Sequence, residues 1–367
     1  MKLFDLFPEN EYQRCLDEGL LTLRSYPHLG LSIVGYSPLC QMLHKWGEVT
    51  TAARGIIFDT ATTEILARPV KKMLNYQVEK NITLAWSEPV VTMDKVDGSL
   101  AIGYPRDGQL RLATRSVLES ELVDLTHDLL QKVPGGQSWI PAGITPFFEV
   151  IHPETRVIVD YGQQESLVLL GGIVIETGEH VFVDDPRLSG WHGERVEIFP
   201  EATFAEAVAK PPRPGQEGLV VVSRTTGNLV KIKQANYLQL HKKLTALTST
   251  DVHSAWVNDT ITDLIHDVPD EMYQDISALI ADLNEAVQPL LAAADRRVAE
   301  TLTQLQLRHI TEVTGPLRKA FVVEYLQRGG KETELAYVFN GNPKLFRRQV
   351  KPDSYSLAMP RKNFRAT

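Results

Sequence analysis

The apolar residues of this chain change their period once, near Thr250, and that change divides what the two parts can become. Up to about Thr250 they form short runs broken by turn residues, the pattern of strands. Ser99 to Tyr104 and Gln109 to Ala113 flank Pro105-Arg106-Asp107-Gly108, where Pro presets a turn and Gly accepts its positive φ, which predicts a hairpin. Phe147 to Ile151 and Arg156 to Val159 flank His152-Pro153-Glu154-Thr155, and Gly218 to Ser223 and Leu229 to Lys233 flank a Thr-Thr-Gly-Asn turn. Antiparallel sheets follow from such connections. Beyond Thr250 the period lengthens: Leu283, Ala286, Val287, Leu290, Leu291, Ala294, Val298, Leu302 and Leu305 recur at helical steps, with Pro289 expected to kink the helix. A further helix is expected from Pro316 to Gly329-Gly330. The fold class predicted is α+β, an antiparallel-sheet domain over residues 1–250 followed by an all-helical domain over 251–367.

Composition supports two packed domains. At 367 residues and 43% hydrophobic content the chain can fill sizeable cores. Its longest mainly apolar run, Leu167 to Ile175, is interrupted by Gly171 and Gly172 and falls far short of the ~20 residues of a membrane helix. Met1 to Asn10 carries Asp5, Pro8 and Glu9, so no secretory segment is expected there. Two cysteines, Cys15 and Cys40, exclude a disulfide framework and fit a reducing cytoplasm; no histidine reads as a metal ligand. The net charge of −8 is segregated. Asp251 to Ile310 holds eleven acids and three bases, whereas the end of the chain carries Lys344, Arg347, Arg348, Lys351, Arg361, Lys362 and Arg365 against Asp353. A solvated basic tail is the expectation.

Chemistry concentrates in the first part. Val90 to Met93 is an apolar strand running into Asp94-Lys95-Val96-Asp97-Gly98-Ser99 and then another strand. A lysine there can be held against a nucleotide, and Gly98 permits a tight turn and close backbone approach to phosphate. Taken alone, Lys-x-Asp-Gly is also an ordinary strand-ending turn. Glu149 stands inside the apolar run Phe147 to Ile151, and Glu217 opens another at Gly218 to Val222; buried acids need partners. In Leu229-Val230-Lys231-Ile232-Lys233 the two lysines share one face, and such crowded cations either edge a sheet or hold an anion such as a triphosphate.

In order, Lys95-x-Asp97-Gly98, Phe148-Glu149, Glu217-Gly218 and Lys231-x-Lys233 resemble the covalent nucleotidyltransferase superfamily of ligases and capping enzymes. With Arg54-Gly55-Ile56-Ile57-Phe58, Arg68-Pro69-Val70-Lys71-Lys72, Tyr237 and His241, the chain from about Ile33 to Leu244 looks most like the RNA ligase 1 family of T-even phages. That resemblance implies that Lys95 is the nucleophile forming lysyl-AMP. Arg54, Lys72, Lys231 and Lys233 would hold ATP phosphates, Glu149 would contact the ribose, and Glu217 would help bind Mg2+. Tyr36 follows Ile33-Val34-Gly35 as the family's adenylate-site tyrosine does, and Arg115 stands where the family usually has lysine, keeping the charge but offering a planar fork. Asp97, Gly98 and Tyr237 would support the site, and Asp263 falls near the family's second metal-binding aspartate, though it is also one exposed acid among eleven.

A free lysine, with a pKa of about 10.4, is protonated at neutral pH. The expectation is that Lys231, Lys233, Arg54 and a bound metal disfavour its ammonium form. The activity implied is ATP-dependent joining of RNA 5'-phosphate and 3'-hydroxyl ends through lysyl-AMP and adenylylated RNA, as in tRNA repair. The protein would act as a monomer in the cytoplasm of a bacterial or phage-infected cell, with the helical domain selecting RNA. Alternatives are a noncatalytic RNA-binding protein that keeps the fold, or a capping-type enzyme, though the latter usually continues into a small β-barrel rather than acidic helices.

Overall fold

The computed structural model describes residues 1–76, 82, 84–238, 247–266, 268 and 272–350. His241 and the tail residues Lys351, Arg361, Lys362 and Arg365 lie outside them. The chain divides into two compact units, Met1–His241 and Lys242–Thr367. The fold is α+β, with sheets in the first unit and helices in the second.

Among the described residues, fourteen strands build the first unit. They are β1 Leu21–Tyr26, β2 Leu31–Tyr36, β3 Arg54–Asp59, β4 Ile65–Ala67, β5 Leu74–Asn75, β6 Val90–Lys95 and β7 Ser99–Arg106. The rest are β8 Gln109–Ala113, β9 Ile144–Ile151, β10 Ser166–Val174, β11 His180–Val181, β12 Ile198–Phe199, β13 Gly218–Ser223 and β14 Leu229–Lys233. Three sheets result, ordered β1-β2-β3-β4, β11-β10-β9-β7-β8 and β12-β6-β13-β14-β5. Among the described residues, the named strands pair antiparallel except β5 with β14. Val91, Met93 and Val222 of one five-stranded sheet share a core with Ala101, Phe147, Phe148, Leu167 and Leu169 of the other. Leu31, Ile33 and Ile57 join the four-stranded sheet to Ile102, Tyr104 and Ala113. The sheet that carries β6 is covered on its outer face by Phe204 and Ala207 of the helix Phe204–Ala209.

Two connections depart from expectation. The β7–β8 hairpin turns through Asp107 and Gly108, both at positive φ (51° and 71°), as a two-residue hairpin loop requires. Pro105 is therefore not a turn residue; it sits in β7 opposite Leu110, past the last residue of β7 that pairs with β9, where no ladder bond is asked of it. The segment Arg156 to Val159 is not a strand, and β9 pairs with β7 and β10 instead. The physical reason is a tertiary hydrogen bond: the backbone N–H groups of Ile158 and Val159 donate to Asp97 Oδ2 at 2.8 and 2.6 Å, so the carboxylate replaces a ladder partner.

In the second unit the helix Tyr273–Gln304 runs through Pro289, and the helix Pro316–Gln327 starts on its proline as expected. Thr248 caps the helix Ser249–Asn258 in a reciprocal box with Asp251. Trp256, Leu283, Val287, Ala294 and Phe346 form one core, and Leu302, Val313, Phe321 and Tyr325 another. The basic stretch from Lys344 is packed rather than solvated at its start. Phe346 is buried, and Arg347 donates to the carbonyl of Trp256 at 2.8 Å and pairs with Asp259. Arg347 is thus occupied in the helical core. Among the described residues no helix is long and apolar enough to cross a membrane.

At Gly98 a Cβ would stand 2.3 Å from the carbonyl oxygen of Val150 and 3.1 Å from Glu149 Cγ, so glycine is required by the neighbouring strand. Gly98→Ala should therefore lower stability by about 1–3 kcal/mol through overpacking. Urea denaturation followed by fluorescence measures this, and a midpoint equal to the parent's would contradict the close approach.

Candidate active site

The register of one sheet assembles the centre. Gly218 is paired with Lys95 on one side and with Lys233 on the other, so the two lysines stand in one row across β6, β13 and β14. Side chains in one row emerge on the same face, here the face that meets the second five-stranded sheet. Glu217, next to Gly218, enters between them. Its Oε2 accepts from Lys95 Nζ at 2.6 Å, and its Oε1 lies 3.6 Å from Lys233 Nζ. Glu217 and Lys233 are nearly closed off, their side chains 4% and 7% exposed, while Lys95 keeps 18%. Lys231 is on the same face and half-buried, with its main chain paired to Val220 and Asn75.

The opposite wall is β9. Glu149 lies between Leu100 of β7 and Val168 of β10, and its Oε1 accepts from Gly98 N at 3.1 Å. Burial pushes its carboxyl up to about 7, against the lowering influence of Lys95 and, more weakly, Arg54. Asp97 is held in a buried cage beside this centre. Besides the two backbone donors its Oδ1 accepts from Tyr237 Oη at 2.8 Å, and its own N–H donates to Tyr161 Oη at 3.0 Å. Asp97 and Tyr237 thus fix the backbone on which Lys95 and Gly98 ride. Tyr161 escaped sequence reasoning because the residues before it read as a strand.

The titration of Lys95 differs from expectation. Burial pushes its ammonium down, but Glu217 and Glu149, the hydrogen bond to Glu217 and the charge of Asp97 outweigh it, and the group lies above the ordinary lysine range. The cations thought to depress it act less than the three carboxylates, because Glu217 sits between Lys233 and Lys95 and takes up both charges. Without ligand the amine is therefore held protonated.

A second group of predicted residues gathers beside β2 and β3. Arg115 Nη1 donates to Tyr36 Oη at 2.7 Å, and its guanidinium lies 4.9 Å over the Tyr36 ring. Lys72 Nζ is 4.9 Å from the centre of the Trp46 ring, which meets Tyr36 edge-on. Arg54 is linked to this group through Gly55, whose Cβ would stand 2.8 Å from the carbonyl of Arg115. Nη1 of Arg54 is buried without a hydrogen-bond partner among the described residues, a donor available to a ligand. Arg68, in contrast, is spent on structure: its Nη1 donates to the carbonyls of Ile175 and Glu176 at 2.9 and 3.2 Å. Asp263 lies exposed on the short helix Ile261–His266 of the other unit.

Behind the row of lysines, Arg213 ties all three strands. It pairs with Asp94, donates through Nη2 to the carbonyl of Gly218 at 2.9 Å, and donates through its backbone N–H to Gln234 Oε1 at 2.9 Å. No local motif announces this residue, because its partners are 119, 5 and 21 positions away. Among the described residues no three His, Cys, Asp or Glu side chains converge as a metal cage. Glu217 nevertheless suits a Mg2+ ion, which is commonly held by one or two carboxylates with phosphate oxygens and water completing the shell.

The raised Glu149 carboxyl makes stability depend on pH. Between its ordinary value of 4.5 and about 7 the folded protein keeps a proton that the unfolded chain releases, so this group's contribution falls as pH rises through that window. Glu149→Gln, permanently neutral, should gain stability relative to the parent by a few degrees in Tm between pH 5 and pH 8. Thermal melts at both values measure it; a difference that is constant or shrinks with pH would contradict the assignment.

With this geometry in place, comparison with known proteins is informative. The RNA ligase family model matches residues 52–187. A protein of Autographa californica nuclear polyhedrosis virus assigned as a bifunctional polynucleotide kinase/RNA ligase is 21% identical over 323 residues, which cover 80% of this chain and 44% of that one. One assigned as an RNA ligase in Thermovibrio ammonificans is 25% identical over 122 residues, 32% of each chain. The chain thus spans less than half the length of either relative. Among solved structures, Naegleria gruberi RNA ligase with PPi is similar over 43% of this chain and 52% of that one, at 16% identity and a TM-score of 0.36. An assigned ATP-dependent DNA ligase from Aquifex aeolicus is similar over 89% of this chain and 79% of that one, at 12% identity and a TM-score of 0.42. The stretch that is similar to the RNA ligase family, residues 52–187, carries Arg54, Lys72, Lys95, Arg115 and Glu149.

Proposed function

We propose that the protein is an ATP-dependent RNA ligase that joins 5'-phosphate and 3'-hydroxyl ends through lysyl-AMP and adenylylated RNA, with broken tRNA as its natural substrate. The observation that carries this reading is the row Lys95, Glu217, Lys233: a protonated amine held 2.6 Å from a buried carboxylate, beside a second cation suited to an anionic ligand.

The chemistry follows from the chain's own groups. Lys233, Lys231, Arg54 and Lys72 bind the phosphates of ATP, and the arriving negative charge draws Lys233 away from Glu217. Glu217, already the acceptor of the Nζ–H bond, is placed to take the proton. The amine then attacks the α-phosphorus; the Nζ–P bond forms, the bond to the β-phosphate oxygen breaks, and pyrophosphate leaves. The cations stabilise charge on that leaving group. A bound Mg2+, which Glu217 would help to hold, would polarise the phosphoryl oxygens. In the second step an oxygen of the RNA 5'-phosphate attacks the adenylate phosphorus, the P–N bond breaks, and Lys95 regains its proton. In the third, the 3'-hydroxyl attacks the RNA 5'-phosphorus and AMP departs. Glu149, at the pocket wall, contacts the ribose in this reading. The helical unit, with Asp263 on its surface, selects the RNA.

Incubation with α-labelled ATP and Mg2+ should give a labelled band that survives denaturation, and Lys95→Ala should abolish it. A mutant that still takes up label would refute Lys95 as the nucleophile. Label from GTP rather than ATP would favour capping-type chemistry.

A further inference from the structure

Tyr36, Lys72 and Arg115 come from separate segments, yet one side chain that sequence reasoning did not single out joins them. Trp46 meets the Tyr36 ring edge-on, with centroids 5.1 Å apart and planes at 88°. Lys72 Nζ lies 4.9 Å from the centre of the Trp46 ring, and Arg115 lies 4.9 Å over Tyr36. A continuous series of cation–ring and ring–ring contacts thus runs Lys72, Trp46, Tyr36, Arg115.

The loop that presents Trp46 is pinned. It connects the helices Pro38–Met42 and Glu48–Ala52. The carbonyl of Lys45 accepts from Thr50 Oγ1 at 2.9 Å and from Cys40 Sγ at 3.3 Å, and Trp46 N donates to the carbonyl of His44 at 2.9 Å. Lys72 is anchored to the same place, its backbone N–H donating to the carbonyl of Thr51 at 2.9 Å.

Despite this order, the indole Nε1–H of Trp46 is buried without a hydrogen-bond partner among the described residues, and so are Nε2 of His44 and Nη1 of Arg54. Buried indole N–H groups usually have partners. Trp46 Nε1 and Arg54 Nη1 are unpartnered donors, and Lys72 over the Trp46 ring and Arg115 over the Tyr36 ring add positive charge to the Trp46–Tyr36 pair, surroundings that suit an anion. We propose that Trp46 is a nucleotide-binding residue: its ring holds Lys72 and Tyr36 in position, and its Nε1–H donates to an oxygen of the bound polyphosphate. This rests on the ATP-dependent reading given above and assigns one more group to the same site.

Two variants separate the parts of the claim. Trp46→Phe keeps an aromatic face but lacks the N–H, and Trp46→Leu lacks both. Lys95 adenylylation is followed against ATP concentration, and single-turnover sealing is followed with pre-adenylylated RNA, which brings no pyrophosphate. In Trp46→Phe the half-saturating ATP concentration should rise about tenfold, the scale of one lost hydrogen bond to a charged group. Trp46→Leu should lose more. The loss with ATP should exceed the loss in sealing by about tenfold. Equal losses in both assays would make Trp46 merely structural and overturn the inference, as would a Trp46→Phe half-saturation within about twofold of the parent. If the parent itself takes up no label, the function proposed above fails instead. Calorimetric titration with ATP then decides for Trp46: about tenfold weaker Kd in Trp46→Phe supports it, and equal values overturn it.

Discussion

Lys95 shares the carboxylate of Glu217 with Lys233, and this three-membered charge group sets the terms for everything around it. A buried ammonium without a partner would be costly, and a buried carboxylate between two ammonium groups is compensated only if their geometry is fixed. The fixing comes from the sheet. Pairing of Gly218 with both Lys95 and Lys233 places the row, and Arg213 on the outer face ties Asp94, Gly218 and Gln234 behind it. A slip of one residue in any of these strands would turn a lysine to the other face.

The same charge group explains why the ligand-free centre is poised rather than active. The acids Glu217, Glu149 and Asp97 keep the amine charged, so in the proposed reaction a nucleophile exists only once positive charge arriving with the substrate offsets them. Triphosphate itself is an anion, and Lys233, Lys72 and Arg54 stand on separate strands and loops where such a ligand would draw them together. In the proposed reaction, coupling the release of the amine to arrival of the substrate would protect a reactive group from chance encounters, and Glu217, the ion-pair partner of Lys95, would then serve as proton acceptor.

Much of the centre was legible in the sequence because each piece lies in a short local pattern. Glu149 interrupts an apolar strand, Lys231 and Lys233 alternate with Val230 and Ile232, and Gly98 follows Lys95 at a strand end. What could not be read was how these pieces act on one another. The sign of the shift at Lys95 depends on Glu217 reaching it across 122 positions, and a lysine motif carries no record of that distance. Arg156 to Val159 read as a strand because the residues are apolar enough, whereas the N–H groups of Ile158 and Val159 are taken by Asp97. Trp46 and Arg213 act through partners far along the chain, and nothing in their immediate neighbours distinguishes them from ordinary loop residues.

Direct observation of the Lys95 side-chain nitrogen by NMR, as a function of pH and with and without ATP and Mg2+, tests this account most closely. The free protein should show an amine that titrates above the ordinary lysine range, and ATP together with Mg2+, whose charge offsets the surrounding acids, should bring the value down. A Lys95 amine already neutral at pH 7 in the free protein, or one that Glu217→Gln leaves unchanged, would contradict it.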